Sequence, residues 1–168
     1  MSEPKTNAMR ILDQKKMPYD VIYYEPGDFI SSLEVSDKLG IDINVIFKTL
    51  IAQGKSERYY AFVIPGNREL DMKKAARSVG EKSVDLIPVK DINRLTGYVR
   101  GGCSPLGIKR QCKVVIDSSC KTYDKMYVSG GKIGCTLCLS PQTLIDASNA
   151  TTEDITLDNV LITVLESR

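Results

Sequence analysis

Apolar and polar positions along this chain fall into short blocks separated by turn residues. Ala8, Ile11 and Leu12 recur at helical spacing and predict a helix over Thr6–Lys16, ended by Pro18. Asp20–Tyr24 is rich in β-branched and aromatic residues and predicts a strand. Ser31-Ser32-Leu33-Glu34 fits a capping box for a helix that Gly40 closes. Val45–Ala52 and Tyr59–Pro65 predict a hairpin through Gly54-Lys55-Ser56-Glu57. Asp71 can cap a helix running to Val79, Ser83–Leu86 predicts a short strand and Val89–Leu95 a short helix. Tyr98–Arg100, Lys113–Asp117, Met126–Ser129 and Cys135–Leu139 predict further strands, and Ser140-Pro141 opens a last helix to Ala147. After Ala150, Val160, Ile162 and Val164 alternate as in a strand whose place the pattern leaves open. No βαβ spacing repeats, which argues against a doubly wound parallel sheet. The expected class is α+β: a mixed, partly closed, barrel-like sheet with surrounding helices.

Length sharpens this to one domain over all 168 residues, and 42% hydrophobic residues suffice for a core. No apolar run approaches the roughly 20 residues that span a bilayer. The polar start, Met1-Ser2-Glu3-Pro4-Lys5-Thr6, has no signal-peptide core, so a cytoplasmic protein without membrane partners is expected. A net charge of +2 is too small to attract nucleic acid globally, so any RNA contact needs local basic patches. The chain contains no histidine, which excludes Ser-His, Cys-His and His-metal chemistry within it. Proton transfer must use other side chains, water or the substrate.

Three segments stand out chemically. Lys48 sits in the apolar run Val45–Ile51, where a cation is costly unless paired or shifted in pKa. It is read either as a snorkelling lysine or as a cation held against a substrate carbonyl or phosphate. Gly101-Gly102 opens a constrained loop through Leu106-Gly107, where main-chain N–H groups can be approached closely, as an oxyanion requires, or which is simply a tight turn. Ser129-Gly130-Gly131-Lys132 has the form of a hairpin tip, with Ser129 a possible donor to substrate and Lys132 a possible phosphate contact or a solvated side chain.

Taken in order, Phe47-Lys48-Thr49-Leu50, Leu70-Asp71-Met72-Lys73-Lys74, Gly97–Gly107 and Tyr127–Lys132 resemble the YbaK (EbsC-like) family, related to the editing domain of bacterial prolyl-tRNA synthetases. The resemblance runs from about Thr6 to Ile145. It implies the aminoacyl-tRNA synthetase-associated editing fold and trans-editing of a misacylated tRNA, Cys-tRNA(Pro) first. It implies no cofactor and no metal, with tRNA and a prolyl-tRNA synthetase as partners. Lys48 would match the essential lysine, and Gly101 the glycine whose backbone approaches the substrate carbonyl. Tyr24, Thr49, Gly102, Ser129 and Gly130 would bind substrate. The cysteinyl thiol of the substrate would itself attack the ester, in keeping with the absence of histidine. Thr136 stands where some relatives carry an acidic side chain.

Two basic groups, Lys73-Lys74-Arg77 and Lys109-Arg110-Lys113, are solvated faces or phosphate contacts, and Lys132 joins them as a candidate tRNA contact. Cys103 is read first as packing. Cys112, Cys120, Cys135 and Cys138 lack the paired short spacings of a zinc site. The alternatives are a deacylase for Ala-tRNA(Pro) or another small aminoacyl group, a non-catalytic tRNA- or synthetase-binding module, and a redox or metal protein resting on Cys135 and Cys138.

Overall fold

The computed structural model describes residues 4–27 and 31–158, so the alternating stretch at Val160, Ile162 and Val164 lies outside the described residues. The helices are α1 (Asn7–Gln14), α2 (Ser32–Leu39), α3 (Met72–Ser78), α4 (Ile92–Thr96) and α5 (Pro141–Ser148). The strands are β1 (Asp20–Tyr23), β2 (Phe47–Gly54), β3 (Tyr59–Pro65), β4 (Val84–Leu86), β5 (Lys113–Asp117), β6 (Met126–Ser129), β7 (Cys135–Leu139) and β8 (Thr151–Glu153). Four helices begin on the side-chain caps that the sequence supplies. Thr6 accepts from Met9 N–H, Ser31 from Glu34, Asp71 from Lys73 and Lys74, and Ser140 from Thr143. Each cap satisfies N–H groups that a first helical turn leaves unpaired.

β1, β7 and β6 form an antiparallel three-stranded sheet, and β4-β2-β3-β5-β8 a five-stranded one. The second is mixed, since β3 pairs β5 and β5 pairs β8 in parallel. One core lies between the sheets, where Ala61, Val63, Val114 and Ile116 meet Met126, Val128, Leu137 and Leu139, with Leu12 and Leu144 from α1 and α5. A second core covers the other face of the five-stranded sheet, packing Phe62, Ile64 and Val115 with Ala75 and Ala76 of α3. Burial on both faces explains why β3 and β5 read as nearly continuous apolar runs.

The α+β architecture is the expected one, but among the described residues the strands form two open sheets instead of a partly closed barrel. The gap lies on one edge of β2. Ile46 C=O accepts from Gly66 N–H and Gly54 N–H donates to Arg58 C=O, so even-numbered residues of β2 aim their backbone at β3. Ile51 C=O accepts from Ile87 N–H, so odd-numbered residues aim at the opposite edge. On that edge β4 covers only Ala52–Gly54, and β6 touches at a single bridge between Ile46 and Tyr127. Between these supports the sheets part, and the backbone of Thr49 faces the opening.

The predicted strand at Tyr98–Arg100 is a turn instead. Tyr98 N–H donates to Thr96 Oγ1 at 2.9 Å, and Tyr98 C=O accepts from Asn93 Nδ2 and Thr96 Oγ1 at 3.3 Å. Local side chains therefore take the backbone groups that a ladder would use. The pattern also gave no sign of β8, whose parallel pairing to β5 is secured when buried Asp117 accepts from Ile155 N–H at 3.1 Å.

Candidate active site

The opening beside β2 is a cavity of about 510 Å³, within the range of small-molecule sites. Lys48, Thr49, Tyr24, Gly101 and Ser129, five of the residues singled out by sequence, line it together. They come from β2, the end of β1, the loop after α4 and the end of β6, elements brought together only by the meeting of the two sheets. Because the β2 edge is open there, side chains of both faces of β2 reach the cavity.

Lys48 is half-buried, and its Nζ donates to Gly66 C=O at 3.3 Å. It forms no ion pair within 4.0 Å among the described residues. Burial lowers its pKa below the ordinary 10.5, opposed in part by the charge of Glu69. The result is a cation with donor capacity to spare on the wall of the cavity. Gly101 holds φ +86°, a conformation that glycine adopts without strain, and its N–H donates to no group among the described residues. A cation and a free backbone donor on one cavity are the parts needed to stabilise charge developing on an acyl oxygen.

Gly102 and Gly130 do not line the cavity. They serve close approach behind it: a Cβ on Gly102 would lie 2.9 Å from Ile133 N, and one on Gly130 would lie 2.4 Å from Cys135 Sγ. Thr6 Oγ1 also donates to Gly130 C=O at 2.5 Å, tying α1 to the β6–β7 tip. Sequence reasoning missed Arg100, Ser31, Ser32, Ile87 and Val89 as cavity residues. None belongs to a periodic pattern that marks a site, and only the tertiary arrangement collects them. Thr136, paired across the ladder with Ser129, is buried on the cavity wall.

The family model for the aminoacyl-tRNA editing domain matches residues 30–147, a span that contains most of this cavity. The chain belongs to the aminoacyl-tRNA editing domain family. It is similar to "Putative Cys-tRNA(Pro)/Cys-tRNA(Cys) deacylase EbsC" of Enterococcus faecalis, 39% identical over 156 residues, which are 92% of this chain and 95% of that one. It is also 36% identical to a proline–tRNA ligase of Thermosipho melanesiensis over 98 residues, 58% of this chain and 17% of the ligase. The crystal structure of "a putative trans-editing enzyme for prolyl tRNA synthetase" superimposes with a TM-score of 0.81 over 93% of this chain and 100% of that one. At 22% identity, that likeness speaks for the fold.

In this editing domain the loop that carries Gly101 is shaped from beneath by Tyr98. Its ring is buried, and its hydroxyl donates to Leu106 C=O at 2.6 Å. Burial pushes the phenol up to about 12, so it remains a donor at any working pH. Tyr98→Phe leaves that carbonyl without its partner and is expected to cost about 1–3 kcal/mol. Denaturant unfolding measures this as a lower midpoint at unchanged slope.

Cys103 also lines the cavity, but burial pushes its thiol up to about 12. It is therefore un-ionised near neutral pH and a poor nucleophile. The candidate RNA contacts separate from one another. Lys74 is committed to Asp154 at 3.0 Å, Asp158 at 3.3 Å and Thr156 C=O at 3.0 Å. Lys73 and Arg77 are exposed on α3, away from the cavity wall. Lys132 lies with its Nζ 5.8 Å from the Tyr23 ring centre. Among the described residues no cluster of three or more His, Cys, Asp or Glu is placed to hold a metal, and no helix is long and apolar enough to cross a membrane.

Proposed function

We propose that this chain is an aminoacyl-tRNA deacylase that acts in trans on Cys-tRNA(Pro), beside a prolyl-tRNA synthetase. The observation that carries the reading is the half-buried Lys48, with no ion pair among the described residues, on the same cavity as Gly101, whose N–H has no acceptor among them, in a chain without histidine. The likeness to EbsC and to part of a proline–tRNA ligase supports the choice of substrate.

The chain has no histidine to activate water, and in this reading the nucleophile comes from the substrate. The cysteinyl thiol attacks its own ester carbonyl. A C–S bond forms, the C–O bond to the terminal ribose breaks, and the thiol proton passes to the departing ribose oxygen. Water then opens the cyclic thioester to free cysteine. Thiol and carbonyl already belong to one aminoacyl group, so the site contributes by fixing the rotamer that sets the sulfur against the carbonyl. Lys48 and the Gly101 N–H stabilise the oxygen as charge builds on it. Tyr24, Thr49 and Ser129 orient the aminoacyl group.

The test compares Cys-tRNA(Pro), the same substrate with its sulfur methylated, and Ala-tRNA(Pro). Release of amino acid from the free-thiol substrate alone is the expected result. Equal cleavage of the methylated substrate would remove the thiol step. Cleavage of the alanyl ester alone would keep the deacylase and overturn the cysteine assignment. No cleavage of any of them would leave a binding module.

A further inference from the structure

A second depression, of about 540 Å³, lies at the far end of the β2–β3 hairpin. Lys48 stands opposite Ile64 in that hairpin and Gln53 opposite Tyr59. At ~3.3 Å per residue, the strand separates the two sites by about 17 Å. The walls carry Arg58 from the hairpin turn, Arg110 from the loop before β5, and Lys113 at the start of β5. All three are exposed. None forms an ion pair within 4.0 Å among the described residues.

Cations from separate segments of the chain meet here. The whole protein carries only +2, whereas this depression sets three cations against the single carboxylate of Glu57. Nearby Glu81 accepts from the hydroxyls of Ser56 and Tyr60 and from Ser56 N–H, and its charge also acts on Arg58, so Arg110 and Lys113 are the cations least offset. Arg110 is held in place, with its guanidinium 5.2 Å over the Tyr59 ring. That stacking pre-orders the cation and covers the ring face that a nucleobase would use. The site is therefore suited to phosphate and not to base recognition.

We propose that Arg58, Arg110 and Lys113 bind the phosphate backbone of the RNA whose aminoacylated end enters the first cavity. The inference rests on the deacylase reading, because it takes the aminoacylated end of that RNA to occupy the first cavity. The contact adds affinity without reading sequence, as phosphate contacts do.

The experiment uses Arg58→Gln/Arg110→Gln, with Lys113→Gln as a second, single variant should the double one unfold. Lys73→Gln/Arg77→Gln on α3 is the control of equal charge change. Binding of uncharged tRNA is followed by fluorescence anisotropy over a salt series, with poly-glutamate as a second probe. Hydrolysis of full-length Cys-tRNA and of a cysteinyl ester of adenosine is measured alongside. The double variant is expected to bind tRNA about 10-fold more weakly at low salt, with the log–log salt slope reduced by about 2. Turnover of the short ester is expected to be unchanged. Unchanged tRNA affinity would overturn the proposal, as would an equal loss in the α3 control or an equal loss on the short ester. Loss of poly-glutamate binding with tRNA affinity intact would also overturn it and assign the surface to an acidic protein. If wild-type protein cleaves neither ester, the deacylase reading fails, while the tRNA-binding comparison still decides the contact site.

Discussion

Lys48→Ala is expected to reduce hydrolysis of the aminoacyl ester by roughly 100- to 1000-fold, the scale seen when one oxyanion donor is removed. Single-turnover release of amino acid from charged tRNA measures it. The loss should not come from unfolding. Lys48 is half-buried, its charged form is disfavoured there, and among the described residues no carboxylate lies within ion-pair distance. Lys48→Met, which keeps the stem, should therefore melt no lower than wild type while being equally inactive. A fall in Tm that tracks the fall in activity would make Lys48 a structural residue.

The same lysine gives activity a pH signature. Its pKa in the folded protein lies below 10.5, so the folded state binds fewer protons than the unfolded state between those two values. Two consequences follow in that window. Stability contributed by Lys48 rises with pH, since the unfolded chain must still carry the charge. Hydrolysis, corrected for spontaneous ester loss, falls as the cation is titrated away, and it does so below the pH of an ordinary lysine. Lys48→Arg should abolish that descending limb whatever activity it retains, because arginine does not titrate there. A limb that persists unchanged in Lys48→Arg would assign it to another group.

Gly102→Ala should be the most damaging exchange behind the cavity. Its new Cβ would lie 2.9 Å from Ile133 N and 3.0 Å from the Cα and C of Lys132. These are backbone atoms of the β6–β7 turn, which cannot swing aside as a side chain can. Either the Gly101 loop or the turn beside Ser129 must move, and the two walls of the cavity separate. Overpacking of this kind costs about 1–3 kcal/mol. A shift near 1 Å at the reacting groups costs about 100-fold in rate. Gly80→Ala is the matched control: φ there is +71°, and no atom stands within 4 Å of the added methyl. It should lower Tm through backbone strain and leave the rate intact. Equal rates in Gly102→Ala and wild type would show that the loop and the turn do not position the site.

Much of this protein was legible before its structure. Caps at Thr6, Ser31, Asp71 and Ser140 are local signals, written within a few residues and satisfied by adjacent N–H groups. Short apolar, β-branched and aromatic runs between turn residues located β2, β3, β5, β6 and β7, because a strand buried on both faces reads as a continuous apolar run. Tyr98–Arg100 misled that reading: an apolar tyrosine and valine look the same whether they join a ladder or fold under a loop. Short β8 was silent because Thr151-Thr152-Glu153 offers no apolar position, unlike Val84 and Leu86 of β4, and its pairing with β5 is a long-range event.

The chemistry divides the same way. The sequence alone determined which reactive groups exist: a lysine inside an apolar strand, paired glycines and no histidine. It also marked Lys73, Lys74 and Arg77 on equal terms with Arg110 and Lys113, since spacing cannot say which cations are already paired. Only the tertiary structure decided that Lys74 is spent on Asp154 and Asp158, while Arg58, remote in sequence, joins Arg110 and Lys113. Only it parted the two sheets along one edge of β2, turning Lys48, Thr49, Gly101 and Ser129 into the walls of one cavity. The reason is physical: residue type and local period act over a few positions, whereas a cavity is made where distant strands fail to pair.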